Sequence, residues 1–358
     1  MRITFVVPLL DVSGGSRIVA GHARNLASRG HDVLVVAPAP PVPGLKQKVR
    51  TLFGFGPVPV PREKSHYALE SVPIHVGSQH QIGTADVPDA DVIVATWWET
   101  AEWVWNLPPE KGAKVHFIQH YEAFPQQPAE RVDAVWRLPL FKVAVAQWLI
   151  DLGRERFGIE GMALVPNSVD HHLFLPRKRT KGHPPTVGFL FHESAYKDIP
   201  TTLGAASMLK RKMPGARLIS FGGNRPRKGE LPPEVEFYHL PKQEEIAQIY
   251  GRCDAWLSTS LTEGFNLPPL EAMASGCPAV CSKTGRPFEI IKDGVNGYLV
   301  DQQDTRGFAN ALESILSLSD DDWAAMSSAA SRTVAHPTWQ ESSALFEDAL
   351  SHSMTISA

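Results

Sequence analysis

The chain has 358 residues, 43% of them hydrophobic, with a formal net charge of −3 at pH 7. That is enough for two domains of ordinary size with sizeable cores, and the charge argues against a general nucleic-acid binder. Three cysteines (Cys253, Cys277, Cys281) at no metal-ligand spacing make no disulfide framework and suit a reducing compartment. Arg2 and the apolar run after it resemble a signal peptide only superficially. The run is short, lacks a small-residue cleavage site and meets Asp11 and a glycine pair, so it reads as a first buried strand. No apolar run approaches the length that spans a bilayer. A cytoplasmic protein is expected.

Residues 2–7 read as a strand, residues 11–16 as a loop and residues 16–29 as a helix with Ile18, Val19, Leu26 and Ala27 on its apolar face. A strand follows at 33–37. This βαβ unit opens a parallel sheet. The loop is not G-x-G-x-x-G, and the second strand ends in Ala37-Pro38 without the acid that would hold a ribose, so a nicotinamide cofactor is discounted. Residues 39–71 are an irregular, Pro-rich insertion with Lys46, Lys48 and Arg50 beside Leu45, Leu52, Phe53 and Phe55. Two readings fit it: peripheral contact with a membrane surface or a lipid-linked molecule, or a solvated loop folded back on its domain.

Further strands are expected at 73–76, 91–95, 114–118 and 142–146. Asp89-Ala90-Asp91 spells a D-x-D metal motif but reads as a turn feeding a strand, and Asp320-Asp321-Asp322 reads as a helix start. No metal is expected at either. Trp97, Trp98, Trp103 and Trp105 cluster after one strand; such tryptophans mostly pack, though the loop end of a parallel sheet is also where ligands sit. His120 follows the 114–118 strand. Residues 148–157 form an amphipathic helix, and the Pro-rich stretch 176–185 reads as an interdomain linker. The alternation then repeats, with strands at 186–191, 217–221, 235–238, 255–258, 279–281 and 298–300, clear helices at 244–250 and 270–274, and a terminal helix from Trp339.

The stretch 262–276 organises the rest. It follows the buried strand 255–258; Pro268 and Pro269 suit the first turn of a helix and Gly276 its stop. Backbone N–H groups of Gly264, Phe265, Asn266 and Leu267, with the helix dipole, make an anion site. Glu263 stands beside it and Glu271 one turn into the helix. A sugar nucleotide fits such a site, its diphosphate at the helix end and a hydroxyl-bearing ring at each carboxylate. By spacing alone, Glu271 equally suits a helix-start acid that complements the dipole, and Glu263 a solvated loop residue.

The Glu-x7-Glu segment, with its Gly264-Phe265 and the run from Pro268 to Ala274, resembles the donor-site signature of family 4 glycosyltransferases of GT-B fold. Pro166-Asn167-Ser168-Val169-Asp170 resembles that family's Pro-Asn-Gly-Val-Asp hinge with Ser168 for Gly, and residues 285–291 and 293–297 follow it closely. The resemblance covers nearly the whole chain. It implies an α/β GT-B fold, two Rossmann-like domains facing across a cleft: an acceptor-side domain, 1–175, onto which 339–358 packs back, and a nucleotide-sugar domain, 176–338. It further implies transfer, with retention and without metal or cofactor, of a hexose or deoxyhexose from a nucleoside diphosphate sugar. The acceptor is a hydroxyl on a glycan, lipid-linked or small molecule, as in glycan, polysaccharide or glycolipid synthesis. By the same resemblance Glu271 binds the ribose and Glu263 the sugar. Lys197 and the 264–267 amides bind the diphosphate, His120 the sugar or acceptor hydroxyls, and Gly14-Gly15 borders donor phosphate and acceptor. One departure matters. Where the family has an Arg that joins the Lys in neutralising the leaving diphosphate, this chain has Phe189; Arg225, Arg286 and His192 are the candidate replacements. A sugar-nucleotide 2-epimerase and a catalytically silent sugar-nucleotide binder remain as alternatives.

Overall fold

The computed structural model describes residues 1–40, 65–176 and 180–357. The basic stretch with Lys46, Lys48 and Arg50 therefore lies outside the described residues. The chain forms two compact units, Met1–Asn167 with Trp339–Ala358, and Ser168–Thr338. The division falls inside the Pro166–Asp170 stretch, earlier than the 175/176 boundary read from the sequence. The reason is local: Phe174 already packs edge-on against Tyr250 of the second unit.

The first unit is built on a parallel sheet in the order β3-β2-β1-β4-β5-β6-β7. Its strands are β1 (Arg2–Val6), β2 (Asp32–Ala37), β3 (Ile74–Val76), β4 (Val92–Ala95), β5 (Ala113–Ile118), β6 (Phe141–Ala144) and β7 (Ala163–Leu164). The strands are near-continuous apolar runs because helices cover both faces of such a sheet; all four residues of β4 are buried. The register sets Ile3 beside Val33 on one side and Val92 on the other. Strand order reverses at β1/β4, the point beyond whose carboxyl ends ligands collect in doubly wound sheets.

The helix Gly14–Ser28 starts earlier than the sequence reading placed it. Ser13 caps it, its Oγ accepting from the Ser16 N–H at 3.3 Å, so Gly14 and Gly15 form its first turn and are not part of a loop. A glycine is required further on. A Cβ at Gly21 would stand 2.6 Å from the Trp339 ring, and this close approach lets the terminal helix Trp339–Ser357 lie against Gly14–Ser28. Phe346 of that helix meets Phe5, Phe117 and His22, while Glu347 pairs with Arg29 at 2.5 Å and His31 at 2.9 Å.

The second unit repeats the scheme with order β10-β9-β8-β11-β12-β13. Its strands are β8 (Thr186–Leu190), β9 (Arg217–Gly222), β10 (Val235–His239), β11 (Ala255–Ser258), β12 (Ala279–Ser282) and β13 (Gly297–Val300), and all pairs are parallel. Its core gathers Val187, Phe189, Leu209, Leu257, Phe308 and Leu312. Phe189 is completely buried. The order reverses at β8/β11, and the 262–276 stretch leaves the carboxyl end of β11.

Candidate active site

In the second unit the chain leaves β11 and turns at Asn266, whose left-handed backbone (φ 68°) precedes the helix Leu267–Ala274 with proline in its first turn. Asn266 Nδ2 donates to Ser258 Oγ at 3.1 Å, tying the loop back to β11. The loop is held from the far side too. The Glu263 N–H donates to Thr284 Oγ1 at 3.1 Å and the Arg286 N–H to the Phe265 carbonyl at 2.9 Å. Gly285 between them has φ +61°, and a Cβ there would come within 3.0 Å of Glu263 Cβ and Phe265 O. Only glycine combines that backbone with that approach.

The loop carries an ion pair. Lys197 Nζ, from the short turn Ala195–Lys197 after β8, lies 2.5 Å from Glu263 Oε1, and both side chains are nearly buried. The turn is anchored by the Leu261 N–H donating to the Tyr196 carbonyl at 2.7 Å. Burial pulls the Lys197 ammonium down, but the Glu263 carboxylate outweighs it and the net direction is up. Lys197 is therefore a fixed cation. The sequence reading gave Lys197 and Glu263 separate partners; in the structure each is the other's partner.

Glu271, one turn into the helix, is buried and accepts from the Tyr250 hydroxyl at 3.0 Å. Tyr250 is fully enclosed by Phe174, Phe221 and Trp256. Lys197, Thr202, Trp256, Ser258, Asn266 and Pro268 line a pocket at the helix start. Trp256 Nε1 is buried with no hydrogen-bond partner among the described residues.

The three candidate replacements for the Arg that Phe189 displaces stand differently. Phe189 itself is core and offers no charge. Arg225 is exposed on the loop after β9. Arg286 docks its backbone on Phe265 but its guanidinium pairs with Glu289 at 2.6 Å. His192 accepts from the Ser194 N–H at Nδ1, 3.0 Å, which leaves a proton for Nε2. Its pKa is lowered, first by desolvation and then by the Lys197 charge, with Glu263 and Glu193 opposing. Of the three it is the one coupled to the Lys197–Glu263 pair.

In the first unit, His120, Trp97, Trp148 and the Gly14–Ser28 helix start follow the carboxyl ends of β5, β4, β6 and β1. A Cβ at Gly15 would lie 3.6 Å from the Gln119 amide, so the glycine turn adjoins the His120 loop. His120 Nδ1 is 2.7 Å from the Tyr121 carbonyl; a carbonyl only accepts, so Nδ1 carries the proton. The His120 ring lies 4.8 Å from Phe124 and 6.0 Å from Trp148, and Trp97 stacks on Phe124 at 6.4 Å. Of the four clustered tryptophans, then, Trp97 borders this loop. Trp98 is buried, with Arg131 over its ring, and Trp105 lies under Lys114. Glu122 is buried, one oxygen accepting from the Trp98 N–H at 2.7 Å. Burial pushes its carboxyl well above the usual range, the Trp98 hydrogen bond works against this, and the charge of Glu99 adds to it. The sequence reading missed Glu122, Phe124, Trp148 and Tyr250. Their only signal was position, just beyond a strand end or inside a helix facing the core.

Asp89 and Asp91 are spent on cations, Lys111 at 2.9 Å and Arg2 at 3.0 Å. Among the described residues no group of three His, Cys, Asp or Glu gathers to hold a metal, and no helix is long and apolar enough to cross a membrane.

Residues 174–333 match the family model described as glycosyl transferases group 1. The GDP-mannose-dependent alpha-mannosyltransferase of Corynebacterium glutamicum is 24% identical over 363 residues, 95% of this chain and 86% of that protein. A D-inositol 3-phosphate glycosyltransferase of Corynebacterium urealyticum is 32% identical over 169 residues, covering 43% of this chain and only 40% of that protein. Among solved structures, Anabaena HepE in complex with UDP and glucose aligns with a TM-score of 0.75 at 18% identity, over 98% of this chain and 99% of that one. Sucrose-phosphate synthase from Thermosynechococcus elongatus aligns with 0.74 at 19%, over the whole of both chains. Together they support a glycosyltransferase of GT-B fold. Each unit is one of its Rossmann-like halves, and the family match falls on the half that carries Lys197, Glu263 and Glu271.

Proposed function

We propose that the protein is a retaining, metal-independent glycosyltransferase of family 4 type, working in glycan, polysaccharide or glycolipid synthesis. It moves a hexose or deoxyhexose from a nucleoside diphosphate sugar to a hydroxyl acceptor. The observation that carries this reading is the grouping, at one helix start, of a fixed cation (Lys197), a carboxylate beside it (Glu263) and a second, buried carboxylate one turn on (Glu271). A diphosphate takes the ammonium and the helix end. The ribose takes Glu271, the transferred sugar takes Glu263, and His120 meets the sugar or acceptor hydroxyls. With no second carboxylate placed as a base, the departing phosphate takes the acceptor's proton. The relatives' donors, a GDP-sugar in one name and UDP in one complex, support a nucleotide donor without choosing the base.

A thermal-shift screen across UDP-, GDP- and dTDP-sugars tests the donor, because a ligand bound to the native state raises apparent stability. Proton NMR of the product formed with the best donor and a panel of sugar acceptors reads the anomeric configuration, with and without EDTA. Retention in both conditions is expected. An inverted product, or activity lost to chelation, would overturn the mechanism, and no shift with any sugar nucleotide would overturn the donor class.

A further inference from the structure

Charge at the 262–276 loop of the second unit is balanced by the protein's own groups. Lys197 Nζ lies 2.5 Å from Glu263 Oε1, with both side chains nearly buried. Arg286, whose N–H holds the Phe265 carbonyl, pairs with Glu289 at 2.6 Å. Each of the two cations tied to this loop therefore already has a carboxylate. The surroundings tilt the balance further toward negative. Asp198 follows Lys197 and caps the helix Ile199–Lys212, one oxygen accepting from the Thr201 N–H at 3.4 Å. Its other oxygen is buried with no partner among the described residues. Glu193 stands just before the turn, and its charge, like that of Glu263, acts on His192. Burial raises the Tyr196 hydroxyl and the Cys281 thiol, and the Glu263 charge adds to both. His192 brings no compensating charge, because desolvation and Lys197 hold its pKa below the usual range. Phe189, where the resembled family has Arg, is closed in the core.

Given the glycosyltransferase reading, on which it rests, we infer that the Lys197–Glu263 pair selects the intact nucleoside diphosphate sugar over the spent nucleoside diphosphate. The two ligands differ in charge. In the sugar nucleotide the terminal phosphate carries the sugar and has one ionisable oxygen. Once the sugar has left, that phosphate has two, the second ionising at about pH 6. Near neutral pH the spent nucleotide therefore carries one more negative charge. A cation without a partner would attract that charge. Lys197 instead shares its charge with Glu263, and a carboxylate beside the terminal phosphate opposes the added one. The Glu263 backbone is also held in place. Its N–H donates to Thr284 Oγ1 at 3.1 Å, and the Gly285 backbone packs behind it, where a Cβ would lie 3.0 Å from Glu263 Cβ. The consequence is release: the spent nucleotide leaves and does not hold the site as it accumulates.

Titration calorimetry in EDTA at pH 7.5 tests this with UDP, UDP-glucose and the β-methyl ester of UDP. The matching set is GDP, GDP-mannose and the β-methyl ester of GDP. The methyl esters have the charge of the sugar nucleotides without the sugar hydroxyls. In the series that binds wild type, sugar nucleotide and methyl ester should each bind about fivefold or more tightly than the bare nucleotide. Glu263→Gln should bring the bare nucleotide to within about twofold of the methyl ester. Lowering the pH to 5.5 should narrow the same gap in wild type, because the terminal phosphate then keeps its second proton. That measurement tests the charge even where the variant does not fold. A bare nucleotide that binds wild type as tightly as the esters would overturn the inference, and is what a cation supplied by Arg225 would produce. A methyl ester as weak as the bare nucleotide would overturn it too, since the sugar hydroxyls would then decide. So would a gap unchanged by pH, or unchanged in folded Glu263→Gln. Failure of all six ligands to bind wild type would instead count against the glycosyltransferase reading.

Discussion

Removing Glu263 probes the centre of the second unit's candidate site, and its consequence follows from the pair it makes. Lys197 Nζ and Glu263 Oε1 are 2.5 Å apart with side chains only 13% and 9% exposed. At that separation the gross attraction is about 7 kcal/mol for an effective dielectric near 20, most of it offset by the desolvation of both ions. Deleting one partner is worse than deleting both, because it strands a charge: about 3 kcal/mol, the low end for buried pairs, since neither side chain is wholly enclosed. In a unit of this size that lowers Tm by roughly 6–12 °C. Glu263→Ala should therefore unfold early, Lys197→Met likewise, and the double variant should regain at least about 1.5 kcal/mol of the summed loss. A nucleoside diphosphate sharpens the test. The ammonium stranded by Glu263→Ala acquires the diphosphate as its counter-ion, so UDP or GDP should raise the Tm of Glu263→Ala by more than that of wild type, and that of Lys197→Met by less. Differential scanning calorimetry of the four proteins with and without nucleotide reads all of this. Additive single losses, together with equal nucleotide shifts, would refute both the coupling and the diphosphate's place at Lys197.

Three further outcomes are expected. Tyr250→Phe removes the hydroxyl that donates to Glu271 at 3.0 Å, costing about 1 kcal/mol of order at that carboxylate. Calorimetric affinity for UDP or GDP should fall about fivefold while affinity for the 2′,3′-dideoxy nucleotide stays unchanged; equal losses for both would detach Glu271 from the ribose. Phe189→Arg, which writes the family's cation into the sequence, should not improve turnover. It should cost on the order of 4 kcal/mol, because the side chain points into a closed core, and a gain in rate with stability intact would contradict the burial. His22 is wholly buried against Phe117, Trp339 and Phe346 and its pKa is lowered by that burial to about 3. A depressed imidazole stabilises the fold above its unfolded value near 6.5 and loses that contribution as pH falls toward 3. By pH 5 the loss through this residue is about 2 kcal/mol. His22→Phe should keep that amount, so urea unfolding at pH 5 and pH 8 should differ less in the variant than in wild type; an unchanged difference would mean that His22 is charged in the fold.

What the sequence made legible was whatever depends on neighbours along the chain. Apolar runs such as Val92–Ala95 announce strands because a doubly covered sheet admits little else, and the Glu263–Glu271 spacing announces a loop and helix start because prolines and glycines punctuate it. Terminal boundaries slipped where a cap decides them, as at Ser13, whose hydroxyl starts the helix two residues before the apolar pattern does. Partnerships across the fold were not legible at all. Lys197 and Glu263 are 66 residues apart, and Tyr250 and Glu271 21, and no periodicity relates either pair. That distinction bears on Phe189 as well. A sequence comparison reads it as a missing charge, whereas the structure shows a residue that packs inward from β8, so under the proposed function a cation for the diphosphate comes from a neighbouring loop and not from that strand. Lys197, on the turn after β8, is the cation whose position meets that requirement, and His192 beside it, its pKa lowered by desolvation and by the Lys197 charge, adds a neutral Nε2 donor. On this argument the strand holds the fold and the turn after it holds the charge.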